Sequence, residues 1–132
     1  MPNILIVEDD DMNRDMLARH LKWEGYQVIA AVNGVQAVAL ARSEPIDLIL
    51  MDMGLPIMNG WQATYRLKSA PETQPIPIIA LTAYALTEDR AKCLDIGCDE
   101  YETKPIEFPR LLAKMRRLLE SRPKASPQEE AP

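Results

Sequence analysis

Short apolar runs alternate along the chain with longer stretches whose apolar positions recur every three or four residues. Asn3–Val7 is a compact run of strand-forming residues. Asp10–Glu24 follows with Met16, Leu17, His20 and Leu21 at helical spacing, and Gly25 stops it. The pattern then predicts a strand over Tyr26–Ala31, an alanine-rich helix over Gly34–Arg42, and a strand over Ile46–Met51. That third strand is apolar throughout, as expected when both faces of a sheet are covered. Beyond the glycine- and proline-rich loop Asp52–Asn59 the pattern predicts a helix over Gly60–Ser69, the polar loop Ala70–Gln74 and a strand over Ile76–Leu81. A helix over Leu86–Ile96 capped by Gly97, a short strand over Asp99–Thr103 and a helix over Pro109–Ser121 complete it. Strict strand–helix alternation implies a parallel sheet with helices on both faces, joined by right-handed crossovers.

Composition narrows this picture. At 132 residues the chain fits one domain, 1–121, with a core that needs no covalent staple. Residues 122–132, RPKASPQEEAP, carry no large apolar side chain and read as a disordered tail. The net charge of −5 argues against sequence-independent nucleic-acid binding. No apolar run reaches membrane-spanning length and MPNILIV has no signal-peptide character, so the expected location is the cytoplasm. Cys93 and Cys98 do not have redox-motif spacing, and only His20 could join them on a metal. They are expected to be reduced thiols in or near the core.

Chemistry enters at the strand ends. Glu8 and Asp9 follow NILIV, Asp52 follows DLILM, Thr82 follows PIIAL, and Lys104-Pro105 follows YET. Ligands of open parallel sheets bind outside the carboxyl ends of the strands. Three carboxylates, a hydroxyl and an ammonium are thus expected in one crevice. Carboxylates so crowded repel unless a cation joins them, which points to a hard divalent ion beside an aspartate that accepts a phosphoryl group. Taken singly, each residue has a plainer reading. Asp52 could cap a turn, the acidic run could cap a helix, Thr82 could be a strand residue, and Lys104 a solvated charge. Asp10 and Asp11 are expected within the first helix as capping acids, Asp47 as a solvated residue at a strand start, and Met12 and Met16 as core or docking side chains.

LIVEDD, DLILMDMGLPIMNG, IIALTA and YETKPI, in that order and spacing, resemble the receiver domain of two-component response regulators over about Asn3 to Glu120. Asn13-Arg14 and GCDEY are most similar to stand-alone regulators and to hybrid-kinase receivers. The resemblance implies the flavodoxin-like strand order 2-1-3-4-5 with five helices. It implies Asp52 as phosphoacceptor, and Mg2+ held by Asp9, Asp52 and the Gly54 backbone carbonyl, with Glu8 acting through water. Glu8 departs from the family's commoner aspartate. Thr82 and Lys104 match the hydroxyl and ammonium that meet the phosphoryl oxygens, with the amides of Gly54 and Ala83 as further donors. Lys104-Pro105 is expected to be cis. Tyr101 matches the switch aromatic, and Gly54 and Tyr84 the positions that tune water access to the acyl phosphate.

The implied partners are a histidine kinase or phosphotransfer protein and an output protein met through Leu86–Ile96, Tyr101 and the last helix. No nucleic acid or membrane is expected, and the chain is a monomer or a phosphorylation-dependent dimer. It is read as a switch acting alone rather than an enzyme on external substrates. A magnesium phosphohydrolase with an aspartyl phosphate is the competing reading, but its general acid would stand where Gly54 is. A pseudo-receiver is opposed by the intact Asp9, Asp52, Thr82 and Lys104 set. A flavodoxin-type cofactor protein lacks support in the loop after the first strand.

Overall fold

A computed structural model describes residues 2–55, 57–83 and 87–121, with the helical backbone alone at 87–90. The expected tail at 122–132, Tyr84 and Leu86 lie outside the described residues. The elements are β1 (Asn3–Val7), α1 (Asp11–Trp23), β2 (Gln27–Ala31), α2 (Gly34–Ser43), β3 (Leu48–Asp52), α3 (Gly60–Ser69), β4 (Ile78–Thr82), α4 (Thr87–Asp95), β5 (Glu100–Thr103) and α5 (Phe108–Ser121). All strand pairs are parallel, in the order β2-β1-β3-β4-β5. This is the flavodoxin-like topology expected.

The two-residue period of the strands divides the core. Leu5, Val7, Ile49, Met51, Ile78 and Ala80 face one layer, where they pack with Ala37 and Ala41 of α2, Ala63 and Leu67 of α3, and Cys93 of α4. Ile4, Ile6, Leu48, Leu50, Ile79 and Leu81 face the other, against Leu17 and Leu21 of α1 and Leu111, Leu112 and Met115 of α5. Both faces of the three central strands are therefore dry, which explains their unbroken apolar character. His20 stacks on Phe108 with ring centroids 3.7 Å apart, joining α1 to α5.

Strand and helix ends shift where side chains substitute for the ladder. β3 begins at Leu48 because Asp47 is not a solvated residue as expected: its Oδ2 accepts the Asn3 amide at 2.7 Å, while its own amide donates to the Asn3 carbonyl at 2.8 Å. At the other end β3 and β4 run one residue further than the apolar pattern suggests. Asp52 and Thr82 are thus the last strand residues, not the first loop residues. Asp10 lies outside α1 and caps it, its carboxylate accepting the Asn13 amide at 2.8 Å. Asn33 and Asn59 cap α2 and α3 the same way, the latter with Gln62 completing a reciprocal capping box.

Two helices end in the same hydrogen-bonded turn. In α1 the Gly25 amide donates to Lys22 and the Tyr26 amide to Leu21; in α4 the Gly97 amide donates to Leu94 and the Cys98 amide to Cys93. Each glycine has positive φ. In such a turn the residue after the glycine packs on the last helical turn. Cys93 and Cys98 are that apolar pair for α4, as Leu21 and Tyr26 are for α1. The two thiols are free and buried, as expected. Their mutual hydrogen bond and burial push the Cys98 thiol well up from its ordinary range.

Candidate functional site

The carboxyl ends of β1, β3, β4 and β5 bring Glu8, Asp9, Asp52, Thr82 and Lys104 to one edge of the sheet. Glu8 and Asp52 are buried and Asp9 is exposed. One carboxylate oxygen from each of the three lies within 4.8 Å of the others. Lys104 Nζ sits 3.2 Å from Glu8 Oε1 and 3.2 Å from Asp52 Oδ2. The Lys104-Pro105 bond is cis, as the resemblance implied.

Each side chain is placed by a local device. The register of β3 against β4 sets Asp52 opposite Leu81, and the Met53 amide continues the ladder to Leu81. The Gly54 amide donates to Asp52 Oδ1 at 3.0 Å, so both oxygens of Asp52 are engaged. Glu8 Oε2 accepts the Asp10 amide at 3.1 Å. The guanidinium of Arg14, one turn into α1, donates to the Glu8 carbonyl at 3.0 Å and to the Asp9 carbonyl at 3.4 Å. The acidic loop is thereby held at its carbonyls while its carboxylates group with that of Asp52.

Gly60 makes room for the end of β3. A Cβ on it would stand 2.3 Å from the Asp52 carbonyl oxygen and 2.6 Å from Met53 Cα. The cleft itself, about 590 Å3, is lined by Asp52, Gly54, Thr82, Ala83 and Lys104, together with Asn59, Trp61 and Lys92. Lys92 Nζ rests over the Trp61 ring, 4.5 Å from its centroid. Trp61 and Lys92 escape sequence reasoning because helical spacing marks them only as surface positions, and the resemblance that includes Arg14 gives it no role. Tyr101 is half-buried against the α2–α3–α4 layer, and its carbonyl accepts Lys114 Nζ at 2.6 Å. Met12 and Met16 are exposed on α1 rather than part of the core.

The electrostatics are those of an under-neutralised acidic site. Burial raises the Glu8 carboxyl above its ordinary value, and the neighbouring Asp52 carboxylate adds to this; the Asp10 amide and Lys104 oppose it. Burial alone would lower Lys104, but the Asp52 and Glu8 carboxylates outweigh it and hold the ammonium above its ordinary range. Three carboxylates against one ammonium leave an excess of negative charge. An all-oxygen donor set with that excess fits a small hard dication of the magnesium type.

Known proteins resemble this chain along most of its length. The response regulator receiver domain family matches residues 4–116. The polar-differentiation response regulator DivK of Brucella anthropi is 38% identical over 117 residues, covering 89% of this chain and 95% of DivK. The DNA-binding dual master transcriptional regulator RpaA of Synechocystis is 39% identical over 119 residues; the match takes 90% of this chain but spans only 49% of RpaA. Among solved structures, the receiver domain of the sensor histidine kinase PA1611 from Pseudomonas aeruginosa superposes with a TM-score of 0.84 at 38% identity, covering 91% of this chain and 98% of that one. It carries a magnesium ion coordinated in its active-site cleft. The fold and the acidic edge define a signalling receiver rather than a cofactor carrier. This chain belongs to the response regulator receiver domain family of two-component signalling.

Proposed function

We propose that this chain is a phosphorylation-controlled switch that takes a phosphoryl group from phosphohistidine onto Asp52. The donor is a histidine kinase or a phosphotransfer protein. A carboxylate oxygen of Asp52 forms the new O–P bond as the N–P bond breaks, and the imidazole departs with the electron pair. Asp9 and Asp52, with the Gly54 carbonyl, would hold the divalent ion directly and Glu8 through water. The ion supplies charge neutralisation for the phosphoryl oxygens when bound. The Gly54 and Ala83 amides and the Lys104 ammonium stabilise the same oxygens. The Thr82 hydroxyl then moves to the phosphoryl group, and Tyr101 follows it inward. This changes the face formed by α4, β5 and α5, which an output protein reads.

The observation that carries this reading is the meeting of Asp52 with Lys104 at 3.2 Å beside two further carboxylates at one sheet edge. Gly54 puts no acidic side chain two residues beyond Asp52. The chain therefore turns over its own acyl phosphate, not external substrates. Among the described residues no helix is long and apolar enough to cross a membrane, and we place the switch in the cytoplasm with its donor. The test is incubation with acetyl phosphate and magnesium, followed by borohydride trapping and mass spectrometry. The adduct is expected at Asp52 alone, absent in Asp52→Asn and lost when divalent metal is removed. Wild-type labelling of the Asp52→Asn protein would defeat the assignment.

A further inference from the structure

A second concave surface lies on the outer side of α2 and α3, sharing only the Trp61 wall with the strand-end cleft. It is a groove of about 800 Å3 between the two helices. The groove is polarised along its length. At the end nearest the helix N-termini it is apolar, formed by Val35, Ile57, Met58 and Trp61. Val35 is half exposed and Ile57 is 83% exposed. Ile57 also holds φ of 67°, a conformation costly for a β-branched residue, and so presents its side chain outward under strain. At the other end stand Arg42, in the last turn of α2, and Arg66 of α3. Tyr65, exposed by 64%, lies along the same wall.

The charge there runs against the rest of the molecule. The chain has 20 acidic and 15 basic residues, yet no carboxylate lines the groove. Arg14, Arg19, Arg110 and Arg117 are paired with acids, whereas Arg42, Arg66 and Arg116 take part in none of the ion pairs found among the described residues, and of these three Arg42 and Arg66 share the groove. Two unneutralised guanidinium groups beside an apolar trough are complementary to one kind of ligand. We propose that the α2–α3 groove docks an amphipathic helix of another protein, with apolar residues at i, i+3/i+4 and i+7 and acidic residues in its first turn. The acidic turn lies between Arg42 and Arg66, and the apolar residues run toward Ile57 and Trp61. Acids are favoured in a helix's first turn, so the charge pattern also sets the direction of docking. Helices α2 and α3 are ten residues each, which a partner helix of about three turns would match. The α1 helix of a second copy, with Asp11, Met12, Asp15 and Met16, has related chemistry. Its two acids are already paired within α1, Asp11 with Arg14 and Asp15 with Arg19, so it offers Arg42 and Arg66 no free acidic turn, and a distinct protein is the occupant.

The experiment pans a displayed library of helical peptides about 14 residues long against the unphosphorylated chain. An R42E/R66E variant serves as counter-target. Both arginines are exposed, and a thermal melt of R42Q/R66Q separates any folding defect from lost charge. The expected clones are amphipathic with acidic first turns. They bind the double charge-reversal variant at least about tenfold more weakly, and perturb the amides of Val35, Ile57, Trp61 and Arg66. Neutral or basic clones, no enrichment over the counter-target, or shifts centred on α1 or on β5 and α5 would overturn the proposal. So would concentration-dependent self-association that perturbs the groove without peptide. The assay uses no phosphorylation, so its outcome is independent of the Asp52 assignment.

Discussion

Glu8 meets two demands at once: its Oε1 faces the Lys104 ammonium, and its Oε2 accepts the Asp10 amide. Burial nonetheless raises its carboxyl above the ordinary value of 4.5. A raised carboxyl means that the folded state holds a proton the unfolded chain has already released. Stability contributed at this residue is therefore present below 4.5 and is lost as pH rises through the folded value. Other carboxylates act oppositely, so the effect is isolated by difference. In chelator, the urea midpoint of Glu8→Gln relative to wild type should rise between pH 4.5 and neutrality; a flat difference would show that Glu8 is not under strain. Adding magnesium should flatten that slope. Asp9, exposed and at the mouth of the trio, should behave as a ligand: Asp9→Ala should lose most magnesium affinity by calorimetric titration. Lys104→Ala should bind magnesium at least as well as wild type, because the ammonium competes for the carboxylates a dication would use. The same variant should fail to carry phosphorylation to the α4–β5–α5 face, read by amide shifts.

At the scale of elements, the strand ends depend on a few close approaches. Gly60 starts α3 against the backbone of Asp52 and Met53, where no Cβ fits. Gly60→Ala should cost about 2–3 kcal/mol by urea unfolding and slow phosphorylation by displacing the end of β3. Gly97 has φ of 106°, and a Cβ there would also stand 2.8 Å from Lys68 Cγ. Gly97→Ala should cost about 1–2 kcal/mol and loosen the Cys93–Cys98 contact. The alternation of apolar runs and helical spacing was enough to place every strand and helix, because the three central strands are buried on both faces. Element ends were less legible. Asp47 and Asp10 end or begin elements through side-chain hydrogen bonds to backbone 44 and three residues away, respectively. Hydrophobic periodicity carries no record of such bonds.

Over the whole molecule, the candidate site follows from topology more than from local pattern. Glu8, Asp52, Thr82 and Lys104 become neighbours because four parallel strands end on one edge, a consequence that alternation alone can anticipate. Trp61 and Lys92 could not be anticipated, since each matters only through the approach of another segment. Phosphorylation at Asp52 should raise affinity for an output partner by about 1–3 kcal/mol, measured by titrating wild type against Asp52→Asn under phosphorylating conditions. The α2–α3 groove should be insensitive to the α4–β5–α5 variants, since its lining comes largely from other helices.

Trp61 has one more consequence. It forms part of the wall of the Asp52 cleft and part of the wall of the α2–α3 groove, with a lysine ammonium over its ring. The only other tryptophan, Trp23, is 86% exposed at the end of α1. The protein therefore carries its own pair of optical probes. A neutral quencher such as acrylamide should quench Trp23 first and leave a bluer emission from Trp61. Occupancy of the cleft and occupancy of the groove can each be read from that residual light, with no label attached.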